Sequence, residues 1–137
     1  MDASKGIKFR FNPSSSKSKK VLGPLEGEIM DVVWEQGPTT VSAVHKALAK
    51  RKEIAYTTVM TTMSRLAKKQ LLNQDRSSTT YKYSPALSRE EFDRYVVMGV
   101  LNGLFEDYGD AVIDHFVECV SGMGTGRKEH LRSLVCR

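Results

Sequence analysis

AYTTVMTTMSRLAKKQLL, Ala55 to Leu72, reads as one helix with two unlike faces. Val59, Met63, Leu66 and Gln70 fall at i, i+4, i+7 and i+11, and the first three build an apolar stripe. Thr57, Thr61, Ser64, Arg65 and Lys68 project from the other side, which carries hydroxyls and cations but no acid. Such a face suits the DNA major groove: Thr and Ser pair with base edges or phosphates, a Thr methyl touches a thymine methyl, and Arg forks onto guanine. An amphipathic surface helix with incidental threonines has the same periodicity, so the flanking sequence has to decide.

Upstream, a first helix is expected from Pro24 to Gln36, with proline in its first turn and Gly37-Pro38 stopping it. Leu25, Ile29, Val32 and Val33 make its buried stripe, with Trp34 at the margin. Thr39 or Thr40 then caps a second helix reaching about Arg51, with Val41, Val44, Leu48 and Ala47 inward. His45 on it reads as a surface residue, since no second His or Cys stands nearby at metal spacing. Lys50, Arg51, Lys52 and Glu53 form a short basic link into the third helix. Two helices joined by a short turn, the second presenting Thr and Arg outward, make a helix-turn-helix.

Downstream, Leu71 to Gln74 and Tyr81 to Tyr83 read as strands around the polar turn of residues 75–80, and Pro85 closes the second strand. A β-hairpin directly after a recognition helix is a wing. The expected fold is therefore mostly α with one small β-hairpin: a winged helix-turn-helix domain over residues 21–86, followed by a helical dimerisation region over residues 87–137.

Charge is distributed unevenly. Residues 1–20 carry six Lys and Arg against Asp2, and their alternating serines and lysines suggest a disordered basic tail, either a DNA-following arm or a solubilising leader. The rest of the 137-residue chain sums to zero, yet residues 41–82 hold nine cations against Glu53 and Asp75, whereas 88–118 hold eight acids against Arg89 and Arg94. A basic segment of this kind meets phosphate and releases counterions; the plainer alternative is a solvated face. No apolar run is long enough for a membrane span or a signal peptide, so a cytoplasmic location and no membrane insertion are expected.

From Ser88 the helical period returns. Ser88 and Glu91 have capping-box spacing, and Phe92, Tyr95, Val96, Gly99, Val100, Gly103 and Leu104 share one side. A second helix, about Asp110 to Val120, carries Ile113, Phe116 and Val117 among its apolar residues, and a last one is expected from Lys128 to Val135. This much apolar surface argues for burial against a second copy of the chain, with Phe92, Tyr95, Val96, Val100, Leu104, Ile113, Phe116 and Val117 as dimerisation residues; folding back on its own domain is the alternative.

Three stretches, LGPLEGEIMDVVWEQGPTTVSAV from Leu22, AYTTVMTTMSRLAKKQLL from Ala55, and YKYSP from Tyr81, resemble the penicillinase-repressor family of bacterial transcription regulators, the BlaI/MecI type, over about Leu22 to Val120. The resemblance implies a homodimeric repressor on a palindromic double-stranded DNA operator. It assigns base contacts to Thr57, Thr58, Thr61 and Arg65, phosphate contacts to Lys68, Lys50 and Arg51, and a phosphate-meeting hydroxyl to Tyr56. It also implies release when a membrane sensor protease triggers cleavage in the dimerisation helices, a region matching Leu101 to Phe105 here. Ser78-Thr79 stands where the family's wing has Gly-Arg, leaving Arg76 as the replacement contact. The cleavage-prone Asn-Phe bond is absent, since Gly103 follows Asn102. Cys119 and Cys136 do not reproduce the paired cysteines of the copper-responsive branch, so neither a metal nor a cofactor is expected.

Two other functional classes fit the sequence less well. A winged-helix interaction module would turn its basic face to an acidic partner. An enzyme has little to stand on: His45, His115 and His130 are scattered, and the one suggestive pair, His115 with Cys119 four residues on, suits packing at a dimer seam better than catalysis.

Overall fold

The computed structural model describes residues 22–136, so the tail expected over residues 1–20 lies outside the described residues. In order come α1 (Pro24–Gln36), α2 (Val41–Ala49), α3 (Tyr56–Lys68), β1 (Leu72–Asp75), β2 (Lys82–Pro85), α4 (Arg89–Tyr108), α5 (Ala111–Ser121) and α6 (Thr125–Val135). Helices dominate and the strands form one antiparallel hairpin, with Leu72 opposite Pro85 and Asp75 opposite Lys82. Two compact units divide between Val97 and Met98, within α4.

The first unit is a winged helix whose core lies among α1, α2, α3 and the hairpin. Ile29, Met30 and Val33 of α1, Val44 and Leu48 of α2, and Val59, Met63 and Leu66 of α3 are buried together with Leu71, Leu72 and Tyr83. Each such side chain contributes roughly 1.5–3 kcal/mol of burial free energy. The stripe read from Ala55 onward is thus the inward face of α3.

Local chemistry sets the boundaries. Pro24 opens α1, and Gly37, at φ +75, closes it by donating its N–H to Val33 O at 2.9 Å. The Thr40 hydroxyl caps α2 by accepting from the Ala43 N–H at 3.2 Å. Beside it, Thr39 and Tyr83 exchange both main-chain hydrogen bonds, at 2.8 and 2.7 Å, which ties the hairpin to the start of α2.

The helix expected through Leu72 ends at Lys68. Gln70 takes φ +66; its N–H bonds Ala67 O at 3.0 Å and the Leu71 N–H bonds Leu66 O at 3.0 Å. That pair is a Schellman stop, sealed by burial of both Leu66 and Leu71. Gln70 therefore belongs to the turn and is no part of the stripe. The other ends move less: α2 stops at Ala49, β1 sits one residue later than read, β2 starts one residue later and runs two further to Pro85, and α6 starts at Thr125, three residues before the expected Lys128.

Two side chains differ from their sequence reading. His45 is half-buried: its Nε2 lies 2.8 Å from Ile54 O and its ring meets Tyr56 edge-on at 5.8 Å, so it braces the turn into α3. Phe92, expected on the dimerisation face, is 1% exposed in the core of the first unit. Its ring lies 5.3 Å from that of Trp34, whose Nε1 donates to Leu87 O at 2.9 Å. The opening of α4 accordingly packs within its own chain.

In the second unit α5 and α6 have no buried residue, while Leu104, Phe105, Tyr108, Ile113, Phe116, Val117 and Leu134 are exposed. No helix of the described residues is long and apolar enough to cross a membrane.

Candidate nucleic-acid interface

The outward face of α3 is set by the stripe beneath it. With Val59, Met63 and Leu66 inside, Thr57, Thr58, Thr61, Arg65 and Lys68 are exposed, and Thr57, Thr61, Arg65 and Lys68 follow one another at i, i+4, i+8 and i+11 along a single side. Thr61 donates its hydroxyl to Thr57 O at 2.9 Å, which leaves the oxygen of this exposed side chain free to accept. Thr62, on the inner side, satisfies its hydroxyl in the same manner on Thr58 O at 2.8 Å. A base-edge amino group and a thymine methyl are the partners such a surface can take.

Charge on this face is uncompensated. Among the described residues Arg65, Lys68, Lys50 and Arg51 have no carboxylate partner, whereas Lys52 pairs with Glu28 and Lys69 with Glu26 at 2.8 Å, both acids of α1. Lys50 and Arg51 stand exposed at the turn between α2 and α3. Tyr56, 46% exposed, opens α3 with its ring held by His45.

The hairpin adds structure that periodicity did not reveal. Arg76 donates from Nε to Gln74 Oε1 at 2.8 Å, and its guanidinium lies 5.4 Å above the Tyr81 ring. Gln74 in turn donates from Nε2 to the Tyr83 hydroxyl at 2.6 Å. Next to Arg76, Asp75 accepts the Ser77 N–H at 2.9 Å, and hydrogen bonds from Ser77 hold its carboxyl below the ordinary 3.8. A groove of about 360 Å³ runs between the hairpin and α3, lined by Thr40, Tyr56, Met60, Ser64, Arg76 and Tyr81 among others. The contacts that Gln74 and Tyr81 make with Arg76 escaped the sequence reading; for Gln74 the signal was its cross-strand placement, since residue 74 faces 83 once the register is known.

The residues assigned to DNA thus lie on the α2–α3 turn, one face of α3 and one strand end, all in the first unit. Of those assigned to dimerisation, Phe92 is internal, Val96 packs partly on the first core, Tyr95 and Val100 are half-buried, and Leu104, Ile113, Phe116 and Val117 are exposed. Leu101, Leu104, Tyr108, Val112, Phe116 and Cys119 help line a second groove of about 440 Å³. Cys119 and Cys136 are free and exposed.

A family model described as "Penicillinase repressor" matches residues 22–136. A protein described as transcriptional regulator BlaI of Mycobacterium tuberculosis is 43% identical over 102 residues, covering 72% of this chain and 73% of that one. A penicillinase repressor of Bacillus licheniformis is 25% identical over 97 residues, covering 71% and 76%. Among solved structures, the solution structure of the DNA-binding domain of the repressor BlaI aligns at 26% identity with a TM-score of 0.45, over 60% of this chain and 92% of that one.

Proposed function

The chain belongs to the penicillinase repressor family, and from that premise we propose that it is a cytoplasmic, sequence-specific transcriptional repressor that binds a palindromic operator as a homodimer. The observation that carries the reading is the exposed, acid-free face of α3, with Arg65 and Lys68 unpaired among the described residues. In this reading Thr57, Thr58, Thr61 and Arg65 contact bases, while Lys50, Arg51, Tyr56 and Lys68 contact phosphates and Arg76 extends the interface from the wing. Burial of the apolar side chains of α4 and α5 between two copies supplies the symmetry that a palindrome requires. Release by proteolysis within residues 101–105, triggered by a membrane sensor protease, would have to use a bond other than the Asn-Phe that this chain lacks, and would need a turn of the helical α4 to unwind.

The test is a titration of the full chain against a duplex from its own upstream region and a scrambled duplex, at two salt concentrations. Tighter binding to the upstream duplex at two chains per site, weakening with salt, is expected. Arg65→Ala should cost about 1–3 kcal/mol on that duplex and little on the scrambled one, whereas Lys68→Ala should weaken both alike. Absence of salt-sensitive binding to any duplex would leave an acidic protein partner as the better reading.

A further inference from the structure

The wing is where this chain departs from the pattern its family resemblance implies, and there Arg76 is tied to Gln74, and Gln74 to Tyr83, by side-chain hydrogen bonds. Arg76 could sweep a wide volume from an exposed hairpin, yet three contacts narrow it. Nε is fixed on Gln74 Oε1 at 2.8 Å, Cζ lies over the Tyr81 ring at 5.4 Å, and Gln74 is itself oriented by the Tyr83 hydroxyl at 2.6 Å. Tyr83 is 2% exposed and is joined to Thr39 through both main-chain bonds, so the relay ends on the body of the domain.

With Nε engaged, the Nη1 and Nη2 fork has no partner among the described residues, and that end of a guanidinium is the one that pairs bidentately with phosphate. Arg76 shares its groove with the hydroxyl-bearing residues Thr40, Ser42, Tyr56 and Ser64. The groove also includes Val41 and Met60, but its hydroxyls and single fork, lying between α3 and the wing, are groups that can contact a sugar-phosphate strand.

We infer that Gln74 and Tyr81 are positioning residues: they hold the Arg76 guanidinium in the wall of the groove between α3 and the hairpin, so that its free fork meets a backbone phosphate of the bound duplex. The inference rests on the DNA-binding reading above and adds to it a wing cation ordered before DNA arrives, which spares the complex the entropy of immobilising a long side chain.

The experiment titrates the full chain with a duplex of arbitrary sequence across a salt series. Arg76→Ala should weaken binding and flatten the slope of log affinity against log salt by about one, as loss of one phosphate contact requires. Gln74→Ala and Tyr81→Ala should each weaken binding about two- to tenfold, the span for ordering one side chain, with the slope kept because the arginine still reaches phosphate. Tyr81→Phe, which keeps the ring, should bind like the unaltered chain. Combined with Arg76→Ala, neither positioning change should matter further, because there is nothing left to position.

Undiminished effects of Gln74→Ala or Tyr81→Ala in the Arg76→Ala background would overturn the inference, as would an Arg76→Ala chain indistinguishable from the unaltered one. Should Gln74→Ala lower the urea midpoint, the Tyr81 pair carries the test alone, since that ring is 44% exposed. Failure of the unaltered chain to bind duplex at low salt would sink the DNA reading and this inference together, whereas normal binding without coupling would sink this inference only.

Discussion

Gln70 carries a backbone conformation that glycine ordinarily takes, with φ +66, whereas Gly37 ends α1 at φ +75 and ψ −144, a region close to glycine's own. The two stops should respond oppositely to substitution. Gln70→Gly relieves a left-handed side chain worth about 1–2 kcal/mol and returns part of that as added freedom of the unfolded chain, for a net gain of about 0.5–1 kcal/mol. Gly37→Ala should lose about 1–3 kcal/mol through backbone strain alone; a Cβ there would meet nothing within 4 Å. Urea midpoints at unchanged m-value measure both, and a lowered midpoint for Gln70→Gly would contradict the account. The same residue shows why one boundary was illegible. Spacing placed Gln70 fourth in an apolar stripe, and without a glycine nothing in the sequence marked the left-handed stop. Phe92 was misplaced for a related reason: periodicity shows that a residue faces inward, but not which surface covers it.

At the scale of elements, local hydrogen bonding at the hairpin tip acts on an ionisable group. Hydrogen bonds from the Ser77 side chain and then its backbone N–H, with a smaller pull from Lys82, favour the ionised Asp75 carboxylate and hold its pKa below the ordinary 3.8. A depressed carboxylate stabilises the folded turn fully above 3.8 and ceases to do so as pH falls through the lower folded value. The Ser77 amide resonance should therefore titrate with a midpoint under 3.8, and Asp75→Asn should abolish that transition. A midpoint at or above that value would show the turn to be unlinked to ionisation. Elements with strong local signals were legible: Pro24 and Gly37 bracket α1 as read, and the inward residues Val59, Met63 and Leu66 are fully buried. The Arg76, Gln74 and Tyr83 relay was not, because it depends on cross-strand register, which a six-residue polar turn leaves free.

At the scale of the whole molecule, apolar surface is divided between a unit that covers its own and one that does not. The helices α5 and α6 have no buried residue, and Ile113, Phe116 and Val117 are each about half exposed, at 49%, 47% and 57%. In water such a surface costs roughly 25 cal/mol for every Å² left uncovered. Covering it with a second copy links stability to concentration, since only the folded chain dimerises. The melting temperature should therefore rise with protein concentration. Phe116→Glu tests the face directly: each copy loses about 1.5–3 kcal/mol of ring burial, and a twofold axis counts that loss twice while bringing carboxylates into a desolvated seam. A loss of at least about 3 kcal/mol weakens dimerisation more than a hundredfold. Sedimentation should show the unaltered chain as a dimer and Phe116→Glu as a monomer at the same concentration, with operator affinity falling because one copy reads one half-site. Since Phe116 lies outside the core of the first unit, the variant should keep weak, salt-sensitive binding to a half-site duplex. A monomeric unaltered chain with a concentration-independent melting temperature would mean that α4, α5 and α6 are covered by something other than their own copies.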